Sequence, residues 1–289
     1  MKFMRYENTN AFGADALDTL MENEVQNNLP ISFIQNERGF DASNWLMSTV
    51  RDEDGSIALV AACTPPYNIV LYETGNRPND AAVRLLSDEL KSMRFNLPGV
   101  LAEQGLARRF AAIYTGGAFR PHSSMNIMRL DKVNAITKAP GHYRPLRESD
   151  LFFAPYWELA FNYDCRLNEG GLQDKINQVK ARIDWGSQYI WEDGYPVSQA
   201  YHSKKTPNGA GISGVYTPPH YRGKGYASSL VAELSRILLE RDHKFCFLFA
   251  DAANPISCRI YRKLGYYDLC VFDEIRFENV GKTDVQQSR

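Results

Sequence analysis

Residues 209–241 read GAGISGVYTPPHYRGKGYASSLVAELSRILLER, an order that combines an anion site with the elements needed to present it. Arg222, Gly223, Lys224 and Gly225 stand at the head of a run whose apolar positions, Ala227, Leu230, Val231, Leu234, Ile237 and Leu238, follow the helical period. Strand character runs from about Gly211 to Thr217, and Pro218 and Pro219 end it because neither can donate to a sheet ladder. Strand, glycine-containing loop and helix N-terminus therefore follow one another. The unpaired N–H groups of a first helical turn and the positive end of the helix dipole attract an anion. Gly223 and Gly225 carry no side chain, so phosphate oxygens can approach the backbone, while Arg222 and Lys224 add charge at the rim. The ligand that fits is a diphosphate. By itself the loop would also serve as a plain turn, so its neighbours have to decide.

Two other phosphate motifs are excluded nearby. Gly209, Gly211 and Gly214 spell G-x-G-x-x-G, but that fingerprint requires a helix to open within the glycines, and here Val215, Tyr216, Thr217 and two prolines follow. The Gly-x-x-x-x-Gly-Lys-Ser/Thr pattern does not occur.

A second group of residues lies downstream, after a strand over Lys244 to Ala250: Asn254, Pro255, Ile256 and Ser257, then Ile260, Tyr261, Leu264, Gly265 and Tyr266. Residues 255–264 read as a short helix that buries Ile256, Ile260 and Leu264 on one stripe. Tyr261 sits about 100° around from Ile260, at the edge of that stripe, where its ring can pack while its hydroxyl reaches a cleft. A phenol of pKa about 10 stays protonated at neutral pH and can donate a proton to a leaving thiolate.

The pair of blocks resembles one family. Arg222 to Ala227 is similar to the Arg/Gln-x-x-Gly-x-Gly/Ala pattern of the GNAT superfamily of N-acetyltransferases, and Asn254 to Tyr266 resembles its second conserved block. The resemblance implies that backbone amides of Arg222, Gly223, Lys224, Gly225, Tyr226 and Ala227 hold the pyrophosphate of acetyl-CoA. It implies that Val215, Tyr216 and Thr217 pair with the pantetheine arm, and that Asn254 and Ser257 stand near it. Tyr261 matches the family tyrosine that protonates the departing thiolate, and the Val215 N–H is the best match for the oxyanion donor. Cys258 stands where relatives carry Asn, which removes a polar contact and reads as a neutral filler. The implied reaction is acetyl transfer from acetyl-CoA to a primary amine of a small molecule or peptide, without a metal.

That reaction also needs a group to take the proton from the amine, which is charged near neutral pH. Glu192, Asp193, His202, Asp273 and Glu274 are the candidates, and each also reads as a turn or surface charge, with Asp193-Gly194 in particular forming a hairpin turn. No base is assigned among them. A coenzyme A-binding sensor or interaction protein without catalysis is the competing reading, favoured by the missing base and opposed by Tyr261. A ligase using charged tRNA as donor is a third, which the charge balance opposes.

The elements that must position these residues fill two domains. The stretch Lys2 to Tyr6, then a helix over about Gly13 to Asn27, opens the first; His142 to Leu146, with Ser149 and Asp150 as caps of a following helix, opens the second. Strands over Ser56 to Cys63 and Asn68 to Glu73 form a hairpin, and helices over Asp80 to Met93 and Leu101 to Ala112 precede a strand over Ser123 to Leu130. Further strands fall over Gln188 to Glu192 and Val197 to His202. The polar segment Asp131 to Gly141 marks the boundary, giving domains of 1–136 and 137–280 and a polar tail over 281–289. The expected fold is α/β (α+β), two tandem GNAT-like domains, each a twisted, mixed, mostly antiparallel sheet flanked by helices. Leu97-Pro98-Gly99-Val100 resembles a stretch of the same two-domain subgroup. At the place of the glycine loop the first domain has Glu73, Thr74, Gly75, Asn76, Arg77 and Pro78, so it reads as a degenerate copy.

Bulk composition agrees with a small-molecule partner. The chain has 289 residues, 33 Lys plus Arg against 34 Asp plus Glu, and a net charge of -1, so no general basic field is present to hold nucleic acid. The five cysteines are scattered and form no C-x-x-C pair, which fits a reducing compartment. The start lacks a signal-peptide core, and the longest apolar run, Ile57 to Cys63, is too short to span a bilayer. The expected location is cytoplasmic, with no membrane partner.

Overall fold

The computed structural model describes residues 1–35, 39, 41–75, 77–117, 119–167, 170–241 and 243–277. Asn76 and the tail over 281–289 lie outside the described residues. The chain folds into two compact units, one of Met1–Met125 with the strand residues from Cys270 onward, the other of Asn126–Leu269. Contacts thus divide the chain inside a strand, upstream of the polar segment 131–141, and give the last strand from Cys270 onward to the first unit.

One succession of elements occurs twice. In the first run it is β1 (Lys2–Tyr6), α1 (Thr9–Met21), α2 (Asn28–Gln35), β2 (Leu46–Arg51), β3 (Ile57–Cys63), β4 (Ile69–Glu73), α3 (Asp80–Ser92), β5 (Gly99–Glu103), α4 (Gln104–Thr115) and β6 (Arg120–Leu130). The second run is β7 (His142–Pro145), α5 (Ala154–Asp164), α6 (Leu172–Asp184), β8 (Gln188–Asp193), β9 (Tyr195–Lys205), β10 (Gly209–Tyr216), α7 (Tyr226–Glu240), β11 (Phe245–Asp251), α8 (Pro255–Leu264) and β12 (Tyr267–Arg276). Each unit is a twisted, mixed, mostly antiparallel sheet flanked by helices, as the sequence predicts.

Within the first unit the strands run β1-β2-β3-β4-β5-β12. All neighbours are antiparallel except β4 and β5, which pair in parallel through Ile69↔Val100 and Val70↔Leu101. The second unit repeats this as β7-β8-β9-β10-β11, with β10 and β11 parallel. In both units a helix must therefore return the chain between the two parallel strands. Those helices are α3 and α7.

Local departures from the sequence reading have local causes. Helix α1 opens at Thr9 because the Asn8 side chain accepts from the Ala11 N–H, so the helix starts ahead of Gly13. Residues 101–103, expected as the start of a helix, complete β5, and Glu103 then caps α4 by accepting from Gly105 and Leu106 N–H groups. Asp150 caps a single 3-10 turn rather than the helix, which opens four residues later at Ala154.

Buried side chains on both faces of each sheet hold the helices. In the second unit, Leu230, Val231, Leu234 and Leu238 of α7 pack with Ala210, Ile212, Cys246 and Leu248 of β10 and β11. The opposite face, under α5 and α6, carries a smaller apolar cluster of Leu146, Ala154, Val179 and Ile190, with Leu151, Phe153 and Ile183 packed against it. Polar groups fill the remainder of that face. Glu158, Lys175, Gln188 and Gln199 are each about 1% exposed or less.

Candidate functional site

The site forms where β10 leaves β11. Parallel pairing holds from Gly209↔Phe245 to Gly211↔Phe247 and then stops. On its other edge β10 shifts register against β9 between Ser213 and Tyr216, so three steps along β10 match two along β9. That is a β-bulge, which bends the strand and re-aims its groups. Gly214 supplies the turn with φ +61, and a Cβ there would lie 2.0 Å from the Tyr201 ring. The bulge is anchored beyond by Ser198, whose hydroxyl donates to the Tyr216 carbonyl at 3.1 Å and accepts from the Thr217 hydroxyl at 2.9 Å. Residues 212–216 and 248–251 therefore border an opening between two strands, with Val215 at the bulge.

The loop that closes this opening ends on Gly223 (φ +77) and Gly225 (φ +82), left-handed conformations that favour glycine. Gly225 is the N-cap of α7, and no side chain caps the helix. Its first ladder bond runs from the Ser229 N–H to the Gly225 carbonyl, leaving the earlier amides without an intrahelical acceptor. Gly223 has no heavy atom within 4 Å of a built Cβ, and Gly225 has only the Ala139 Cβ at 3.8 Å. The helix N-terminus is open.

The side chains of the loop take more specific places than their sequence suggests. Arg222 does not offer a free charge at the rim. Its Nε donates to the Thr217 carbonyl at 2.8 Å and its Nη2 pairs with Asp164 at 2.6 Å, so it ties the loop to the C-terminal end of α5. Lys224 is exposed, with Nζ 5.9 Å from the Tyr221 ring centroid. Tyr226 is buried against the α7 core and donates its hydroxyl to Asp193 at 2.6 Å.

Helix α8 stands beyond the end of β11. Asn254 is its N-cap, accepting from the Ser257 N–H at 3.2 Å, while the Ser257 hydroxyl donates back to the Asn254 carbonyl at 3.0 Å. Ile256, expected in the buried stripe, is instead 69% exposed. It occupies the first turn, ahead of the part of α8 that packs on the core, and the stripe runs through Cys258, Tyr261 and Leu264. The Cys258 thiol donates to the Asp251 carbonyl at 3.6 Å and accepts from Asn126 at 3.4 Å, the behaviour of a filler. Tyr261 packs edge-on to Tyr266, ring centroids 5.9 Å apart. Burial first, then the neighbouring Cys165 and Cys258 thiols, push its phenol upward, so it is held protonated as a donor.

The base candidates are all engaged. Glu192 takes the Arg144 guanidinium at 2.6 Å and Asp193 takes Tyr226. His202 lies on β9 and has partners of its own. Asp273 and Glu274 belong to the first unit, where Asp273 accepts from Ser124, Arg108 and Gln104, and Glu274 from Asn68, Ser123 and Arg276.

Several residues of the site were not singled out by sequence. Cys165, at the end of α5, lies within electrostatic reach of Asp164, Asp251 and Tyr261; burial and the two carboxylates push its thiol up to about 11. Glu158 accepts from Gln199 at 2.8 Å and pairs with Arg182 at 3.0 Å, and burial raises its pKa against the pull of Arg182 and Lys175. The helical spacing of α5 placed Glu158 on its inner face, but the polar contacts there come from β9 and α6.

Residues 156–266 match the sequence model of the acetyltransferase (GNAT) family. The matched stretch lies within the second unit. Solved structures extend the likeness of fold over nearly the whole chain. A GCN5-related N-acetyltransferase from Sphaerobacter thermophilus superposes with a TM-score of 0.67 at 16% identity, covering 95% of each chain. A GNAT-family acetyltransferase from Colwellia psychrerythraea gives 0.60 at 11% identity over 96% of this chain and 100% of its own. A tandem GNAT protein from the clavulanic acid biosynthesis pathway gives 0.57 at 14% identity over 98% and 99%. No curated protein sequence matches significantly. The chain thus has the fold of tandem GNAT structures, and its match to the GNAT family model lies in the second unit. Among the described residues no group of three or more His, Cys, Asp or Glu is placed to hold a metal, and no helix is long and apolar enough to cross a membrane.

Proposed function

We propose that the second unit transfers an acetyl group from acetyl-CoA to a primary amine of a small molecule or peptide. The observation that carries this reading is the uncapped N-terminus of α7 behind two left-handed glycines, set beside a parallel strand pair that a bulge has opened. The residues fit the coenzyme. Amides of Arg222 to Ala227 face a diphosphate with no carboxylate of the loop itself in the way, and the β10 edge at Val215 to Thr217 is unpaired on the β11 side for the pantetheine amides. Asn254 and Ser257, by capping α8, set that helix beside the arm.

Acetyl-CoA supplies an activated acetyl thioester. The acceptor, as a free amine, forms the new C–N bond as the C–S bond breaks, and its surplus proton passes to water, from which Tyr261 is reprotonated. The N–H of Val215, which lies within the bulge, donates to the carbonyl oxygen as it gains charge. Tyr261 gives its phenolic proton to the departing thiolate sulfur, and its upward-shifted pKa keeps that proton in place until a strong base appears. The first unit has the strand order of the second but none of its anion loop, and acts as a degenerate copy. The site of action is the cytoplasm, consistent with free, scattered thiols.

Calorimetry with acetyl-CoA, paired with a thiol-release assay over a panel of amines, tests the reading. Binding together with release for at least one amine is the expected result. Binding without release for any acceptor would identify a coenzyme A sensor instead, and absence of binding would remove both.

A further inference from the structure

The first unit contains a cavity of about 280 Å³ at the place where its own parallel strands part. Pairing of β4 with β5 ends at Val70↔Leu101, and the cavity begins beyond, bounded by Leu71 to Glu73 on one side and Glu103 to Leu106 on the other. Its volume is near the bottom of the roughly 300–1,000 Å³ typical of ligand pockets, too small for a coenzyme. Leu71, Leu106 and Phe272 supply apolar lining.

Four charged side chains also line it, and they divide into two kinds. Glu73 and Arg109 satisfy each other: both Glu73 oxygens take the Arg109 guanidinium, which also reaches Asp80, and Glu73 accepts from the Asn79 N–H. Arg77 and Glu103 are different. Arg77 is exposed and has no hydrogen-bond or ion-pair partner among the described residues. Glu103 spends only Oε2 on the α4 amides, and its Oε1 accepts no hydrogen bond among the described residues. A free cation and a free carboxylate oxygen thus border one small, partly apolar cavity.

We propose that this cavity binds a small zwitterion, a molecule with a primary ammonium for Glu103 and a carboxylate for Arg77. An anion alone meets Glu103, Glu73 and Asp80 at this end of the unit; a cation alone meets Arg77 and Arg109. A ligand carrying both charges satisfies both free groups through charge-assisted hydrogen bonds, and its carbon skeleton covers the apolar lining. The site stands on the first unit's geometry and is independent of acetyl transfer in the second.

Calorimetry on the full chain tests it with two isomers, 2-aminopentanoate and 5-aminopentanoate, beside pentylamine and pentanoate. At least one isomer is expected to bind about tenfold or more tighter than either half-molecule, and which one reports the spacing of the two charges. Arg77→Ala is expected to reduce that affinity to the level of pentylamine. Glu103→Gln, which keeps an oxygen for the α4 cap, is expected to reduce it to the level of pentanoate. Acetyl-CoA affinity is expected to be unchanged in both, which separates this site from the acetyltransferase reading. The proposal is overturned if neither isomer exceeds the half-molecules at ~10 mM, or if wild type and Arg77→Ala bind the winning isomer equally. Arg77 has no partner to lose, so that variant keeps the test decisive should Glu103→Gln fold poorly.

Discussion

Helices α3 and α7 occupy the same place in the two units, yet their N-termini offer opposite chemistry. Ahead of α7 the chain places Gly223 and Gly225, and among the described residues no side chain caps the helix. Ahead of α3 the Asn79 side chain accepts from the Ala82 N–H at 3.1 Å, Asp80 opens the helix, and Glu73 accepts from the Asn79 N–H at 2.7 Å. There a carboxylate of the chain itself takes the N–H at the head of the helix. The fold preserves an anion-attracting geometry in both units, and a few side chains decide whether an external anion or an internal one occupies it.

The largest test of this contrast is Gly225→Trp. It imposes φ +82 on a residue that avoids it and puts an indole in front of the α7 amides. Acetyl-CoA affinity by calorimetry is expected to fall by about a hundredfold or more. Retained affinity would refute the loop assignment. Tyr261→Phe keeps the ring packing and removes the proton donor, so steady-state kinetics should show kcat lowered about a hundredfold with little change in acetyl-CoA KM.

Two stability measurements sharpen the comparison from the other unit. Asp273 is fully buried, and although burial pushes its pKa up, hydrogen bonds from Ser124, Arg108 and Gln104 outweigh that and leave it lowered. Its contribution is therefore present above the unfolded carboxylate pKa and lost as pH falls through the lower folded value. Asp273→Ala is expected to cost on the order of 1–3 kcal/mol in urea unfolding at neutral pH, discounted because Arg108 is half-exposed, with the difference shrinking in acid. Asn79→Ala removes the α3 cap and should cost about 1 kcal/mol, with acetyl-CoA affinity unchanged. The smallest effect is Asp164→Asn, which frees Arg222 from an exposed pair and should change stability by about 0–1 kcal/mol.

How much of this was legible depends on the distance over which each feature is encoded. The repeat of elements, the strand ended by Pro218 and a helix expected from about Gly223 depend on neighbours in sequence, and they form close to the reading, the helix opening at Tyr226. Residues 101–103 read as helix because the apolar spacing continues into α4, but pairing with β12 draws them into a strand. Ile256 fits the apolar stripe of α8, but the core ends before the first turn reaches it.

By itself, the sequence determined that a strand, a glycine-containing loop and a helix N-terminus would follow one another, because turn and helix signals are local properties. It also determined that the first unit would lack this loop. Only the tertiary structure decided that Arg222 is spent on Asp164, that Asp193 is held by Tyr226, that Glu158 is buried among Gln199, Arg182 and Lys175, and that β12 from Cys270 onward completes the first unit. Charges and strand partners far apart in the chain meet only after the sheet has formed, and their spacing in sequence carries no trace of that meeting.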